Sequence, residues 1–64
     1  MTINYHTGIE KGIWTVERPK LRGNGWTTIY TGTSHQRAME AVQSDSYKIA
    51  QSQGCTVTAK VLEF

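Results

Sequence analysis

The sequence predicts an α+β fold: a two-layer sandwich in which a mostly antiparallel sheet of three or four strands packs on one helix. Two observations support this prediction. Residues 33–54 carry apolar side chains at the 3.6-residue period of an amphipathic helix. The remaining runs alternate in polarity and are rich in β-branched and aromatic residues, which is typical of strands. In chain order the elements are an optional strand, then strand, strand, helix and strand.

The segment before the helix contains a β-hairpin. Residues 2–6 alternate and predict at most a short edge strand. The run 12–18 is a clearer strand, and Pro19 ends it because proline has no N–H to donate to a ladder. A second clear strand covers residues 26–31. Glycine and asparagine in the loop at 20–25 are turn formers, so the two strands form a hairpin with a basic tip.

The helix has recognisable ends. Thr33 and Gln36 have capping-box spacing, in which each side chain satisfies a backbone N–H of the first turn. Gly54 can adopt the left-handed conformation that terminates a helix. The stripe that faces the sheet consists of Ala38, Met39, Val42, Ser46, Ile49 and Ala50.

Residues 55–64 are expected to form the last strand. The helix returns the chain across the sheet, so this strand should run parallel to 26–31. We therefore expect it to lie next to 13–18 and antiparallel to it.

One helix covers one face of a sheet. Side-chain alternation predicts that the covered face carries Trp14, Val16, Ile29, Val57 and Val61. The uncovered face would carry Trp26, Tyr30, Leu62 and Phe64. Alternatively, residues 1–11 fold over this second face and cover it with Ile3, Tyr5 and Ile9.

Residues 1–64 are predicted to be a single domain and a complete small protein. A chain of this size has marginal stability and often needs a disulfide, a metal or a second subunit. Cys55 is the only cysteine, and His6, His35 and Cys55 lack zinc-finger spacing, so we expect no metal or cofactor and favour a homo-oligomer. The lone thiol and the absence of a long apolar run predict a cytoplasmic protein without a membrane partner.

The sequence argues against catalysis. No motif joins the scattered carboxylates with a histidine or cysteine. Cys55 is interpreted as a small buried apolar residue and His35 as a rim or partly buried capping histidine of the helix. The acidic residues are Glu10, Glu17, Glu40, Asp45 and Glu63.

The most informative polar segment is 18–26. Its cations alternate on a turn whose glycines let the backbone approach a ligand, and Trp26 can stack on a base. The net charge of +2 permits an anionic partner but does not demand one; on the strength of this segment, the chain is predicted to bind an anionic ligand such as a nucleotide or a nucleic-acid backbone. An ordinary solvated hairpin tip is the alternative, because no longer phosphate-binding motif is present. The predicted ligand-binding residues are Arg18, Lys20, Arg22, Asn24, Trp26 and Tyr30.

A second functional hypothesis is a protein-binding inhibitor or adaptor. Tyr47 is predicted on the polar face of the helix, and Leu62 and Phe64 on the uncovered sheet face. Exposed aromatic residues are typical of interfaces, so these three residues are predicted to contact a second copy or a host protein.

In layout, the chain resembles the small arm-DNA-binding domains at the front of phage-type tyrosine integrases. The resemblance rests on Trp14, Arg18 and the start of the helix at 33–41, and the strand after the helix departs from that layout. Compact chains without motifs are also typical of phage accessory proteins that block host defences by binding.

Overall fold

The computed structural model describes residues 1–63 and confirms the two-layer α+β sandwich. One helix packs against a four-stranded sheet. The sheet is mixed, because its last strand runs parallel to its first while the other pairs are antiparallel. Phe64 lies outside the described residues. The elements are β1 (Thr2–Glu10), β2 (Ile13–Pro19), β3 (Trp26–Gly32), α1 (His35–Gln53) and β4 (Thr58–Glu63).

The strand order is β3-β2-β1-β4, which corrects the predicted neighbour of the last strand. β4 has the predicted direction but pairs with β1, not with β2. The reason is that β1 is a full strand that pairs antiparallel with β2 and so occupies the edge predicted for β4. The first segment is therefore neither a short edge strand nor a cover over the second sheet face.

β1 is central because its alternate side chains are apolar or small. Ile3, Tyr5 and Thr7 are buried on the side that faces α1. Between them lie Asn4 and His6, which point to the opposite face.

Capping residues define both ends of the helix. Ser34, rather than the predicted Thr33, is the N-cap, and its hydroxyl accepts the Arg37 N–H at 3.1 Å. Gly54 terminates the helix as predicted, with a left-handed φ of 66°. No helix among residues 1–63 is long and apolar enough to cross a membrane.

The core lies between α1 and the centre of the sheet. Its buried apolar residues are Ile3, Tyr5, Val16, Ala38, Val42 and Ile49. Val61 was predicted beneath the helix. It lies on that side of the sheet but remains 37% exposed, because β4 is at the edge that α1 covers least.

A β-bulge corrects the predicted face of Tyr30. Val16 pairs with Tyr30 while Glu17 pairs with Thr28, so Ile29 is an extra residue on β3. This extra residue shifts the alternation, and both Ile29 and Tyr30 pack against the core. The prediction that Tyr30 lies on the uncovered face is therefore wrong.

Candidate ligand-binding site

The sheet face opposite α1 carries no second layer within residues 1–63. Trp26 lies on this open face and is 50% exposed. Strand register places polar side chains of the other three strands on the same face, those of β2 next to the strand of Trp26 and those of β4 at the far edge. On β1, β2 and β4 these are Asn4, His6, Thr15, Glu17 and Lys60.

Trp26 has a defined orientation on the open face. The His6 ring meets it nearly edge-on, with ring centroids 4.5 Å apart and an interplanar angle of 77°. Edge-to-face pairs of this kind are stabilising and restrict both rings. The exposed part of the indole therefore has a fixed orientation, and a planar group can stack on it.

The loop between β2 and β3 lies directly beside Trp26. The Lys20 N–H donates to the Gly25 carbonyl at 3.1 Å and closes the loop. Gly23 and Gly25 have φ values of 77° and 112°, a region that other residues rarely adopt. The exposed side chains of Lys20 and Arg22 form no ion pair with any carboxylate of residues 1–63. Their charges are available to a ligand.

Arg18 is held inside the fold instead. Its Nε lies 2.6 Å from Asp45 Oδ2, its Nη1 donates to the Pro19 carbonyl at 3.2 Å, and its side chain is only 13% exposed. The structure thus separates Arg18 from the two loop cations. The sequence contained the signal for this, because alternation puts Arg18 on the same side as Val16 and Trp14.

Asp45 also accepts a hydrogen bond from the Tyr5 hydroxyl, at 2.8 Å. Burial raises the pKa of Tyr5 well above its ordinary value. The hydrogen bond to Asp45 and the charge of that carboxylate add to the increase, whereas Arg18 opposes it. Tyr5, Arg18 and Asp45 form one internal polar cluster, which we call the Asp45 cluster.

Tyr30 also lies on the helix side of the sheet, where its hydroxyl has a hydrogen-bond partner. Its hydroxyl accepts the Ser34 N–H at 3.4 Å, at the start of α1. The ring lies over Gly32, where there is no room for a Cβ. Of the predicted ligand-binding residues, Lys20, Arg22 and Asn24 lie in the loop that leads into Trp26, whereas Arg18 and Tyr30 lie on the other face.

The structure adds two residues that sequence reasoning missed, His6 and Lys60. Lys60 pairs with Asn4 and projects onto the open face, two positions along from the pairing of His6 with Leu62. The alternation of β1 would place His6 on one face, but its proximity to Trp26 depends on the strand order.

A shallow concavity of about 280 Å³ lies on the same face, over Gly8. Its lining includes Glu10 and Glu17 as well as Ile13 and Thr15. Two carboxylates make this part of the face unfavourable for an anion. The open face therefore has a basic end at the hairpin loop, while Glu10 lies at the opposite end and Glu17 lies between the two, opposite His6.

The predicted interface residues do not share one surface. Tyr47 is 64% exposed on the outer side of α1, where its hydroxyl accepts the Gln51 Nε2–H at 2.9 Å. Leu62 is 43% exposed on the open sheet face, in the other layer. Phe64 lies outside the described residues.

Two further predictions have different outcomes. Cys55 is exposed, so its predicted burial is wrong, and the reason is that β4 begins only at Thr58. His35 lies at the rim of the helix as predicted. It contacts the Trp14 ring and has its Nε2 3.1 Å from the Glu63 carboxylate.

Within residues 1–63, no group of three His, Cys, Asp or Glu side chains is arranged to hold a metal ion. No protein-family model, curated protein or solved structure matches the chain.

Proposed function

We propose that this protein is a non-catalytic binding protein that captures a nucleotide or nucleic-acid backbone at the basic end of its open sheet face. The observation that carries the proposal is the half-exposed Trp26, held edge-on by His6, beside two loop cations without ion-pair partners among residues 1–63.

Charge supports an anionic ligand at this end. Lys20 and Arg22 project from the loop, and Lys60 lies on the same face of β4. The Arg22 guanidinium can form two parallel hydrogen bonds to one phosphate, and an ammonium can neutralise another. Glu17 is a carboxylate on the open face itself, whereas Asp45 lies on the helix side and is already paired with Arg18.

Stacking supports a ligand with a planar ring. A base that lies on Trp26 buries the exposed half of the indole, and stacking of this kind contributes about 1–3 kcal/mol per base. Backbone N–H groups of the glycine loop give a phosphate a close approach. This combination favours single-stranded nucleic acid or a nucleotide over a simple inorganic anion.

The direct test is fluorescence anisotropy with a labelled oligothymidine. The double variant Lys20→Ala/Arg22→Ala is expected to weaken binding by about tenfold or more, because each phosphate contact is a charge-assisted hydrogen bond. The matched control is Arg37→Ala/Lys48→Ala, which removes the same charge from exposed helix positions and should leave affinity within about twofold.

Salt dependence gives a second readout. Each contact to a single-stranded phosphate contributes about −0.7 to the slope of log K against log salt. The loop double variant should therefore make the slope shallower by about 1.4. An affinity that does not depend on salt, or loop and helix variants that bind alike, would refute the proposal.

The rival function is a protein-binding inhibitor or adaptor that uses the open face. The observation that favours it is the exposure of the apolar residues Ile13, Trp26 and Leu62 on that face. It predicts that Trp26→Ala abolishes capture of a protein partner while Arg22→Ala changes little. Loss of oligonucleotide binding in both variants favours the nucleic-acid function instead.

A further inference from the structure

The hydrogen bonds between β4 and β1 show which N–H and C=O groups of β4 point away from the sheet at its free edge. The Thr58 N–H donates to the Met1 carbonyl at 2.8 Å, so the backbone of Thr58 points toward β1. The N–H and C=O of one strand residue point to the same side, and this side alternates along the strand. Ala59, Val61 and Glu63 therefore direct their N–H and C=O groups away from the sheet.

The side chains along this edge are also uncovered. Every residue of β4 is exposed, and Val61 and Leu62 are 37% and 43% exposed. β4 pairs with β1 in an unbroken register, without proline or a bulge. Such a regular, exposed edge is a template for another strand. The opposite edge, β3, is distorted by the bulge at Ile29.

We propose that the β4 edge binds the β4 edge of a second copy, so that two four-stranded sheets join antiparallel about a two-fold axis. A second copy is the occupant because the outward N–H and C=O groups are arranged symmetrically about Val61, so an antiparallel second copy pairs with all of them and brings the two Val61 side chains together. The core is small, with six buried apolar residues among residues 1–63, so a second subunit would add burial that a domain of this size needs.

The pattern of outward groups selects one register. With Val61 opposite Val61 of the second copy, Ala59 lies opposite Glu63, and all three outward residues form hydrogen-bonded pairs. Lys60 then faces Leu62. A shift in one direction would oppose two lysines, and a shift in the other would pair only Val61 and Glu63 among the outward residues of β4. Only the Val61-centred register uses every outward group.

The geometry has a consequence for binding. A two-fold axis perpendicular to the sheet keeps the open faces of both copies on the same side. The dimer therefore presents two Trp26 rings and two basic loops on one continuous eight-stranded face. The interface shares Lys60 with the proposed anion site, but it does not depend on the nucleic-acid proposal, since it involves neither the loop nor Trp26.

Substitutions that place a charge at Val61, on the two-fold axis, test the proposal. Val61→Lys and Val61→Glu each place like charges opposite one another, and each should raise the dimer dissociation constant by at least about tenfold, as measured by analytical ultracentrifugation. An equimolar mixture of the two variants should recover the dimer, because lysine then faces glutamate.

Thr28→Lys, an exposed substitution on the β3 edge, is the control and should leave the dimer intact. Circular dichroism of each variant checks that it is folded. A monomeric wild-type protein, dimers that persist in both single variants, or a mixture that stays monomeric would each overturn the proposal. The last result would also arise if β4 paired with a different strand.

Discussion

At the residue scale, the Asp45 cluster fastens the helix to the sheet. Asp45 projects from α1 and accepts hydrogen bonds from Tyr5 on β1 and Arg18 on β2. A partly buried carboxylate needs such partners, because removal of one leaves the other charge unpaired. Arg18 is thus a structural residue in this protein, although its sequence position beside Lys20 suggested a ligand contact.

The cluster predicts how stability depends on pH. The pKa of Tyr5 is raised in the folded state, so unfolded chains lose this proton first as the pH rises past about 10. The stabilising effect is complete below that pH and should fall by about 1.4 kcal/mol per pH unit above it. Urea unfolding at several alkaline pH values measures this slope.

Tyr5→Phe should remove that component of the slope, and it should also lower the free energy of unfolding at neutral pH by about 1.5–3 kcal/mol. Tyr47→Phe is the matched control, because Tyr47 is 64% exposed and should leave the alkaline slope unchanged. Equal slopes in the wild type and Tyr5→Phe would contradict the assignment.

Thr7 gives a second prediction at this scale. Its side chain is fully buried, and its Oγ1 has no hydrogen-bond partner among residues 1–63. Valine has nearly the same shape without the hydroxyl, so Thr7→Val should raise the free energy of unfolding by about 1–3 kcal/mol. Thermal and urea denaturation measure the change. Thr28→Val at an exposed position should have little effect, and a destabilised Thr7→Val would reveal a partner for the hydroxyl.

At the element scale, the helix was predictable because its signals are local. The apolar period, the serine and threonine at its start and the glycine at its end all lie within or beside the helix itself. The one-residue error at the start arises because Thr33 and Ser34 are both good caps, and only the structure shows which hydroxyl meets the Arg37 N–H.

The left-handed conformation of Gly54 gives a testable prediction for the end of the helix. Its φ of 66° is strained for any residue with a Cβ, while the space around the added Cβ is open. Gly54→Ala should therefore lower the free energy of unfolding by about 1–2 kcal/mol through backbone strain alone. Ser52→Ala, in the last turn, should be neutral or slightly stabilising in the same urea titration. Equal effects of the two variants would show that the left-handed cap is not required.

At the scale of the whole molecule, the proposed dimer predicts that stability depends on concentration. If folding and association are coupled, the Tm of the wild type should rise with protein concentration by mass action. The Tm of Val61→Lys should not. Differential scanning fluorimetry over a dilution series measures both, and a constant wild-type Tm would argue against coupled association.

The candidate site was predictable only in part. Lys20, Arg22, Asn24 and Trp26 are neighbours in sequence, so a turn was enough to bring them together. His6 was missed because its contact with Trp26 spans two strands of the sheet, β1 and β3, with β2 between them. Tyr30 was misplaced because a bulge leaves no mark in the alternation of residues.

The sequence by itself determined the helix, the hairpin, the basic loop and the α+β class, because periodicity, turn residues and caps act over a few neighbouring residues. Only the tertiary structure decided that β1 is central, that β4 pairs with it, and that Arg18 binds Asp45. Alternation shows which side chains share a face of a strand, but not which strand lies beside it. That choice depends on contacts between residues far apart in the chain, whose free energies are set by packing the whole molecule at once.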